Sequence, residues 1–340
     1  MKPIFSHALS FDDVLLVPQK SSLKSRSEVD LKTTLTKNIE INTPLLSSPM
    51  DTVTEDKMAI YMALYGGVGV IHRFQTIEEQ VEQIKNVKEF KFDKKDYPYA
   101  NIDKKGRLIT GAAVGIKNQF IERTENLLRA DCDFIVIDVA HGHMQRVIDA
   151  IHEIKNNFKV DIIAGNIATY EGAKDLAEAG ADCIKIGIGP GSTCTTRIVT
   201  GFGVPLFTSI LECAKIKDEY DVTLMADGGM RNSGDIVKAL AAGSSSIMSG
   251  FLFAGVDETP GQIFEINGKK YKSYKGMYSF ESNMKLMKLE NKEVNKDVIV
   301  TEGIEAFVPY KGKLSSIFFK LLGGIRNGLS YCGARNIKEL

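Results

Sequence analysis

Eight short apolar runs, each followed by a stretch with helical periodicity, constrain the fold of this chain more than any other feature. The runs are rich in Ile and Val and lie at 43–50, 68–72, 109–115, 134–140, 161–167, 183–189, 222–229 and 246–250. Alternation of this kind predicts repeated βα units around a parallel sheet. Eight units are enough to close the sheet, so we expect an α/β fold of the (β/α)8 TIM-barrel type.

Local signals support helices between these runs. Thr76 and Glu79 have the spacing of a capping box, and an apolar stripe at helical spacing follows them. The segment EGAKDLAEAG stops at Gly180, which we expect to be the first residue beyond a helix end.

Length and charge limit the number of domains and the class of molecule that the protein binds. The 340 residues suit one barrel domain spanning 1–340, with an excursion at about 251–309 after the last strand. Lys plus Arg and Asp plus Glu both number 43, so no basic footprint argues for a nucleic-acid partner. A small-molecule substrate is therefore expected.

Cysteine spacing and hydropathy predict the environment. The five cysteines show no CxxC spacing, which argues against a zinc site or a disulfide framework and is typical of a reducing cytosol. No apolar run approaches the ~18 residues of a membrane span. We expect a cytoplasmic protein that does not bind membranes.

The loop GIGPGSTCTTR, residues 187–197, is the strongest candidate site. Its glycines let the backbone approach a ligand, and free amides in such a loop can hold an anion. Cys194 follows directly and is a candidate nucleophile, although a turn with a small buried cysteine gives the same pattern. The glycine spacing also allows a doubly wound, dinucleotide-binding sheet, but the loop lies mid-chain, contains Pro190 and does not run straight into a helix.

Two segments interrupt the βα pattern. Residues 88–108 are charged and poorly periodic, which predicts a surface connection. In the excursion at about 251–309, Asn267-Gly268 predicts a hairpin turn, and a lysine-rich stretch follows. A long excursion over a barrel mouth is usually a lid, and the alternative is a solvated loop.

Several motifs in order resemble the IMP dehydrogenase and GMP reductase family. They are SFDDVLLVP, PMDTVTE, DVAHGH, AGN, GIGPGSTCTTR, ADGGMRNSGD, YKGM, TEGIE and GGIRNGLSYCGA, and together they cover nearly the whole chain. The resemblance implies that the Cys194 thiolate adds to carbon 2 of a purine nucleotide, where hydride is exchanged with a nicotinamide.

The resemblance also implies roles for the other site residues. Ser192 and the backbone at Gly229 and Gly250 would hold the phosphate, and Asp227 the ribose. Backbone amides of Met277 and Tyr278 would meet the purine edge, and Asp138 and Asn166 would face the cofactor. Carbonyls of Gly189, Gly191 and Cys194 match a potassium loop. One departure is Phe251, where the family usually has Ser or Gly.

The choice between reductase and dehydrogenase depends on the flap. Dehydrogenases of this family activate water with an Arg-Tyr pair on the flap, whereas residues 232–325 here contain no arginine and residues 280–300 offer only lysines as cations. An unperturbed lysine is a protonated cation at neutral pH and a poor substitute for that base. Thr196 and Glu302 match the reductase proton-transfer pair.

We therefore predict an NADPH-dependent GMP reductase that converts GMP to IMP and ammonia, with K⁺ as a possible cofactor and a homotetramer as its assembly. Most IMP dehydrogenases insert a tandem CBS module after the second helix of the barrel. We expect that module to be absent here, because residues 88–108 take its place. The alternative is an IMP dehydrogenase without that module, which oxidises IMP to XMP with NAD. A non-catalytic nucleotide-binding barrel and a flavin-dependent barrel oxidoreductase are competing classes, and the intact Cys194, Thr196 and Glu302 set argues against the first.

Overall fold

The computed structural model describes residues 7–117, 119–289 and 301–340. Eight parallel strands form a closed barrel. They are β3 (Leu45–Ser47), β4 (Val68–Ile71), β5 (Gly111–Val114), β6 (Phe134–Asp138), β7 (Asp161–Ile167), β8 (Cys183–Ile186), β9 (Thr223–Asp227) and β10 (Ser246–Ser249). The strands lie in chain order around the barrel, and β10 pairs with β3 to close it. The predicted (β/α)8 barrel is confirmed, and each strand lies within its predicted apolar run.

Helices connect the strands and cover the barrel. They are α1 (Asp56–Leu64), α2 (Ile77–Glu89), α3 (Phe120–Arg129), α4 (Gln145–Asn157), α5 (Tyr170–Glu178), the single-turn α6 (Thr196–Val199), α7 (Leu206–Ala214), α8 (Ser233–Ala241) and α10 (Leu314–Tyr331). The predicted capping box at α2 forms: the Glu79 amide donates to Thr76 Oγ1 over 3.1 Å, and the Thr76 amide to Glu79 Oε2 over 2.9 Å. Gly180 follows the C-cap residue of α5 with φ +100°.

Apolar side chains fill both faces of the strands. One cluster fills the barrel interior and includes Phe134, Met225 and Met248, all fully buried. An antiparallel hairpin, β1 (Thr33–Thr36) with β2 (Ile39–Ile41), contributes Leu35 and Ile41 to the same cluster. A larger cluster lies between the strands and the helices. Burial on both faces is why these strands read as continuous apolar runs.

Part of the segment at residues 88–108, which runs from the end of α2 toward β5, is buried, although the sequence predicts a surface connection. Lys88 is the penultimate residue of α2 and is buried, with Nζ 2.5 Å from Asp133 Oδ2. Asn101 is also buried, and its Nδ2 donates to the carbonyls of Gly66 and Gly67 over 2.6 and 2.8 Å. Satisfying those strand-flanking carbonyls requires a polar side chain inside the fold, so part of a polar sequence is buried here.

The excursion after β10 contains a three-stranded antiparallel sheet and one helix. The sheet consists of β11 (Ile263–Ile266), β12 (Lys269–Lys275) and β13 (Glu305–Pro309), and the helix is α9 (Phe280–Leu289). The predicted turn is present, with positive φ at Asn267 and Gly268 joining β11 to β12. Residues 290–300 of the predicted lid lie outside the described residues, and its role as a lid stays a prediction.

None of the helices in the described ranges is long and apolar enough to cross a bilayer. The helices instead carry their apolar residues toward the barrel, as in α10, where Phe318, Ile325 and Leu329 are buried.

Gly69 allows a close approach of β4 to α1. A Cβ at this position would lie 2.4 Å from the Ala59 Cα in α1. Backbone cannot move aside as a flexible side-chain end can, so we expect Gly69→Ala to lower the free energy of unfolding by about 2 kcal/mol. Chemical denaturation would measure the change.

Gly323→Ala is the matched control, because a Cβ at Gly323 in α10 has no neighbour within 4 Å. Higher helix propensity should make this variant more stable, by up to about 1 kcal/mol. Equal effects of the two substitutions would contradict the tight packing of β4 on α1.

Candidate active site

A cleft at the C-terminal ends of the barrel strands gathers most of the predicted site residues. Its lining includes Asp138, Asn166, Gly189, Gly191, Cys194, Thr196, Asp227, Gly250, Met277, Tyr278 and Glu302. Ser192 and Gly229 are not among the lining residues, although each adjoins one that is. Ser192 is exposed, and its hydroxyl lies beside the buried Tyr274 phenol. The structure therefore brings eleven of the thirteen predicted residues into one cleft.

Cys194, Thr196 and Glu302 form a continuous hydrogen-bonded chain. The Cys194 thiol donates to Thr196 Oγ1 over 3.1 Å, and Thr196 Oγ1 donates to Glu302 Oε2 over 2.7 Å. This arrangement gives the thiol proton a path through the hydroxyl to the carboxylate. A thiol, a hydroxyl and a carboxylate thus meet although 106 positions separate Thr196 from Glu302.

Backbone pairing fixes the position of Glu302 against the Cys194 loop. The Thr195 amide donates to the Glu302 carbonyl over 2.9 Å, and the Ile304 amide to the Thr193 carbonyl over 3.0 Å. These bonds form an isolated antiparallel bridge between Cys194 and Gly303. Gly303 also packs closely against the segment before α9, since a Cβ there would lie 3.0 Å from the Ser279 amide nitrogen.

Lys185, in the middle of β8, links three of the predicted residues from beneath the cleft. Its Nζ donates to Asp138 Oδ1 and to Asp227 Oδ2, each over 2.7 Å, and to Asn166 Oδ1. Burial alone would lower the pKa of Lys185, but the two carboxylates outweigh burial and raise it. The ammonium is therefore charged at neutral pH.

Oxygen atoms remain available above this buried lysine. Asn166 Nδ2 donates to Asp227 Oδ2 over 2.9 Å, so both side-chain bonds to Asp227 reach the same oxygen and leave Oδ1 for a ligand. Asp138 Oδ2 is buried, with no hydrogen-bond partner within the described ranges. An unpartnered buried carboxylate oxygen is suited to a donor from a ligand, such as a hydroxyl or an amide.

Arg73 and Tyr278 lie on the Asp138 side of the cleft. Arg73 Nε is buried and, in the part of the chain that the structure describes, lacks a partner. Burial raises the pKa of Tyr278 to about 12, although the nearby Arg73 opposes this shift. The phenol is thus a neutral donor at physiological pH. These groups and Asp138 fit a polar cofactor that carries hydroxyls and negative charge.

The opposite end of the cleft depends on the absence of a side chain at Gly250. A Cβ there would lie 2.5 Å from Met50 Sδ and 2.8 Å from the Tyr274 hydroxyl. Tyr274 is buried, and burial raises the pKa of its phenol. Backbone, thioether and phenol therefore meet in a narrow space at this end.

The predicted potassium ligands, the carbonyls of Gly189, Gly191 and Cys194, are backbone oxygens, which are suitable ligands for a monovalent cation. The Gly191 carbonyl already accepts a bond from the Cys194 amide over 3.1 Å, which leaves one lone pair for an ion. The described residues contain no cluster of three or more His, Cys, Asp or Glu side chains that could hold a metal ion.

Sequence reasoning missed Lys185, Arg73 and Tyr274. A lysine inside the apolar run CIKIGIG was a usable signal, because a charge at the centre of a buried strand needs charged partners. Tyr274 lies in the polar run KKYKSYK, and Arg73 lies two residues after the end of β4. Neither carries a comparable signal in sequence.

Comparison with known proteins points to the same family that the motifs resemble. A family model described as IMP dehydrogenase / GMP reductase domain matches residues 8–340. Inosine-5'-monophosphate dehydrogenase of Borreliella burgdorferi is 46% identical over 99% of this chain and 93% of its own length. GMP reductase of Leishmania major is 34% identical over 99% of this chain and 94% of its own length.

A solved structure of a GMP reductase has the same fold as this chain. A cysteine-to-alanine variant of GMP reductase from Trypanosoma brucei, in complex with guanosine 5'-monophosphate, superimposes with a TM-score of 0.92 at 31% identity. The match covers 99% of this chain and 94% of that chain. The chain therefore belongs to the IMP dehydrogenase / GMP reductase family of purine-nucleotide oxidoreductases.

Proposed function

We propose that the chain is an NADPH-dependent GMP reductase that converts GMP to IMP and ammonia through a covalent bond between Cys194 and carbon 2 of the purine. The observation that carries the proposal is the Cys194–Thr196–Glu302 hydrogen-bond chain. The absence of arginine from residues 232–325 supports the reductive direction, because the water-activating arginine of the dehydrogenase branch has no counterpart there.

The cleft provides a place for each part of the nucleotide. Its phosphate would lie at the Gly250 end, near Ser192 and the backbone of Gly229. The ribose hydroxyls would donate to Asp227 Oδ1, since Oδ2 already accepts from Lys185 and Asn166. Amides of Met277 and Tyr278 would then meet the purine edge, which places carbon 2 toward the thiol.

The first chemical step is the displacement of the amino group. The Cys194 proton passes through Thr196 to Glu302, and the thiolate adds to carbon 2 to form a C–S bond. The bond from carbon 2 to the amino nitrogen then breaks, and Glu302 returns the proton through Thr196 to the departing nitrogen. One thiol and one amino group thus give one thioether and one ammonia, with no other reactant.

The second step removes the sulfur. When bound, NADPH supplies a hydride to carbon 2. Cys194 leaves as a thiolate as its C–S bond breaks, which releases IMP. Asp138, Asn166 and Arg73 would hold the cofactor, because Asp138 Oδ2 and Arg73 Nε lack partners within the described ranges. The resemblance extends the proposal to a K⁺ ion on the carbonyls of Gly189, Gly191 and Cys194, and to a cytoplasmic homotetramer.

An IMP dehydrogenase is the second candidate. The 46% identity to the enzyme of Borreliella burgdorferi favours it, since that is a higher identity than to the GMP reductase of Leishmania major. This reaction would require a base that activates water against the same Cys194 adduct. The flap provides no arginine for that step, so hydrolysis of the adduct should be slow.

Glu302→Gln should slow the deamination step by about a hundredfold or more, because the amide keeps the shape but cannot carry the proton. Rapid-quench measurement of ammonia release in a single turnover would test this. Glu305→Gln is the matched control, since Glu305 lies three residues away on β13 with its side chain 40% exposed. Ammonia release by Glu302→Gln at the rate of the control would remove Glu302 from proton transfer.

The reductase and dehydrogenase reactions should both be assayed on the same preparation of the protein. We expect NADPH to be oxidised upon addition of GMP, with IMP and ammonia as products, and IMP with NAD to give little XMP. Absorbance at the nicotinamide band and chromatography of the nucleotides would measure both reactions, with and without potassium. XMP formation without GMP-dependent NADPH oxidation would overturn the reductase in favour of the dehydrogenase.

A further inference from the structure

The backbone that follows β10 is anchored by lysine side chains that donate to its carbonyls. Lys311 Nζ donates to the carbonyls of Phe251 and Leu252 over 2.9 and 3.2 Å. Further along, Lys272 Nζ donates to those of Val256 and Thr259 over 3.1 and 2.6 Å. Lys311 thus bonds the turn at residues 250–255 directly after Gly250, which lines the cleft.

Lys311 contacts the side chain of this turn as well as its backbone. Its Nζ lies 5.2 Å from the ring centroid of Phe251, which is the geometry of a cation–π contact. The Phe251 ring therefore packs against the ammonium. It has no hydroxyl to offer to the cleft, unlike the Ser that the family often has at this position. Two carbonyl bonds and one ring contact thus join Lys311 to Phe251 and Leu252.

The charge of Lys311 lacks a carboxylate partner within the described ranges. Burial lowers the pKa of its ammonium to about 8. A partly buried cation without a counter-ion costs stability, so its bonds to the turn are its principal stabilising contacts.

Among the described residues, the hydrogen bonds of the turn do not use the amide of Phe251, nor those of Gly250 and Gly255. The Gly250 carbonyl accepts from the amides of Phe253 and Ala254 over 3.2 and 2.8 Å. The Leu252 amide donates to Ser249 Oγ over 3.2 Å. The Phe251 amide has no such partner among the described residues, and it adjoins Gly250, which lines the cleft.

The geometry points to Lys311 as a positioning residue that holds the turn at 250–255 so that the Phe251 amide faces the phosphate of the nucleotide. This inference rests on the proposed placement of the phosphate at the Gly250 end. It is independent of reaction direction, because GMP and IMP carry the same phosphate.

Lys311→Met tests the inference, because it keeps the length of the side chain and removes the donors. We expect dissociation constants for GMP and IMP to rise about tenfold, with guanosine binding unchanged and kcat within about threefold of the wild type. Lys311→Arg should restore GMP binding to within about threefold, since the guanidinium can still donate to both carbonyls. Calorimetry and steady-state kinetics would measure these quantities.

Lys313→Met is the matched control, because Lys313 is exposed two residues away, and its GMP affinity should equal that of the wild type. Unchanged GMP affinity in Lys311→Met would overturn the inference, as would an equal loss for GMP and guanosine. If Lys311→Met does not fold, Phe251→Leu replaces it as the test, since it keeps the carbonyl bonds but loses the ring. That variant should weaken GMP binding by about two- to threefold and spare guanosine, and a loss shared by both ligands would contradict the role.

The experiment also separates this inference from the proposed function. Equilibrium binding of GMP needs no turnover, so a wild-type protein that proves to be a dehydrogenase would still show the Lys311 effect on IMP. A reductase whose Lys311→Met variant binds GMP normally would contradict the inference alone.

Discussion

The ammonium of Lys185 is the interaction on which the arrangement of the cleft depends. It lies beneath the mouth of the barrel with its side chain 1% exposed, and it bonds residues from β6, β7 and β9. An isolated charge at this depth would be strongly unfavourable, whereas two carboxylates within 2.7 Å offset the loss of hydration. The same bonds determine which carboxylate oxygens remain for ligands, so the position of one cation connects the packing of the strands to recognition.

The Cys194 thiol is held in place by a loop and not by the end of a barrel strand. Cys194 belongs to a glycine-rich loop, and that loop is fixed by its bridge to Gly303 rather than by the barrel alone. Because Glu302 comes from the excursion after β10, the Cys194 thiol and the Glu302 carboxylate are joined only when that excursion packs on the loop. The residues proposed for binding therefore lie mostly at the ends of strands, and the proposed proton transfer depends on a contact between two loops.

Sequence patterns predicted the barrel well because each strand is buried on both faces and must be apolar throughout. The turn at Asn267-Gly268 was also predictable, since positive φ at two adjacent residues requires these residue types. Lys185 was missed because its partners lie 47 and 42 positions away, and only the closed barrel brings them together. The burial of Lys88 and Asn101 was missed for the same reason, as their polar partners belong to other elements.

In the proposed reaction, Cys194 forms a covalent bond to carbon 2 as ammonia leaves. Acid quenching of the protein mixed with GMP and NADP⁺, followed by digestion and mass spectrometry, measures that bond directly, because no hydride is available to break it. We expect a purine adduct on the peptide containing Cys194, with one ammonia released per adduct. Ammonia release without an adduct on Cys194, or an adduct that forms from IMP with NAD but not from GMP, would contradict the proposed reaction.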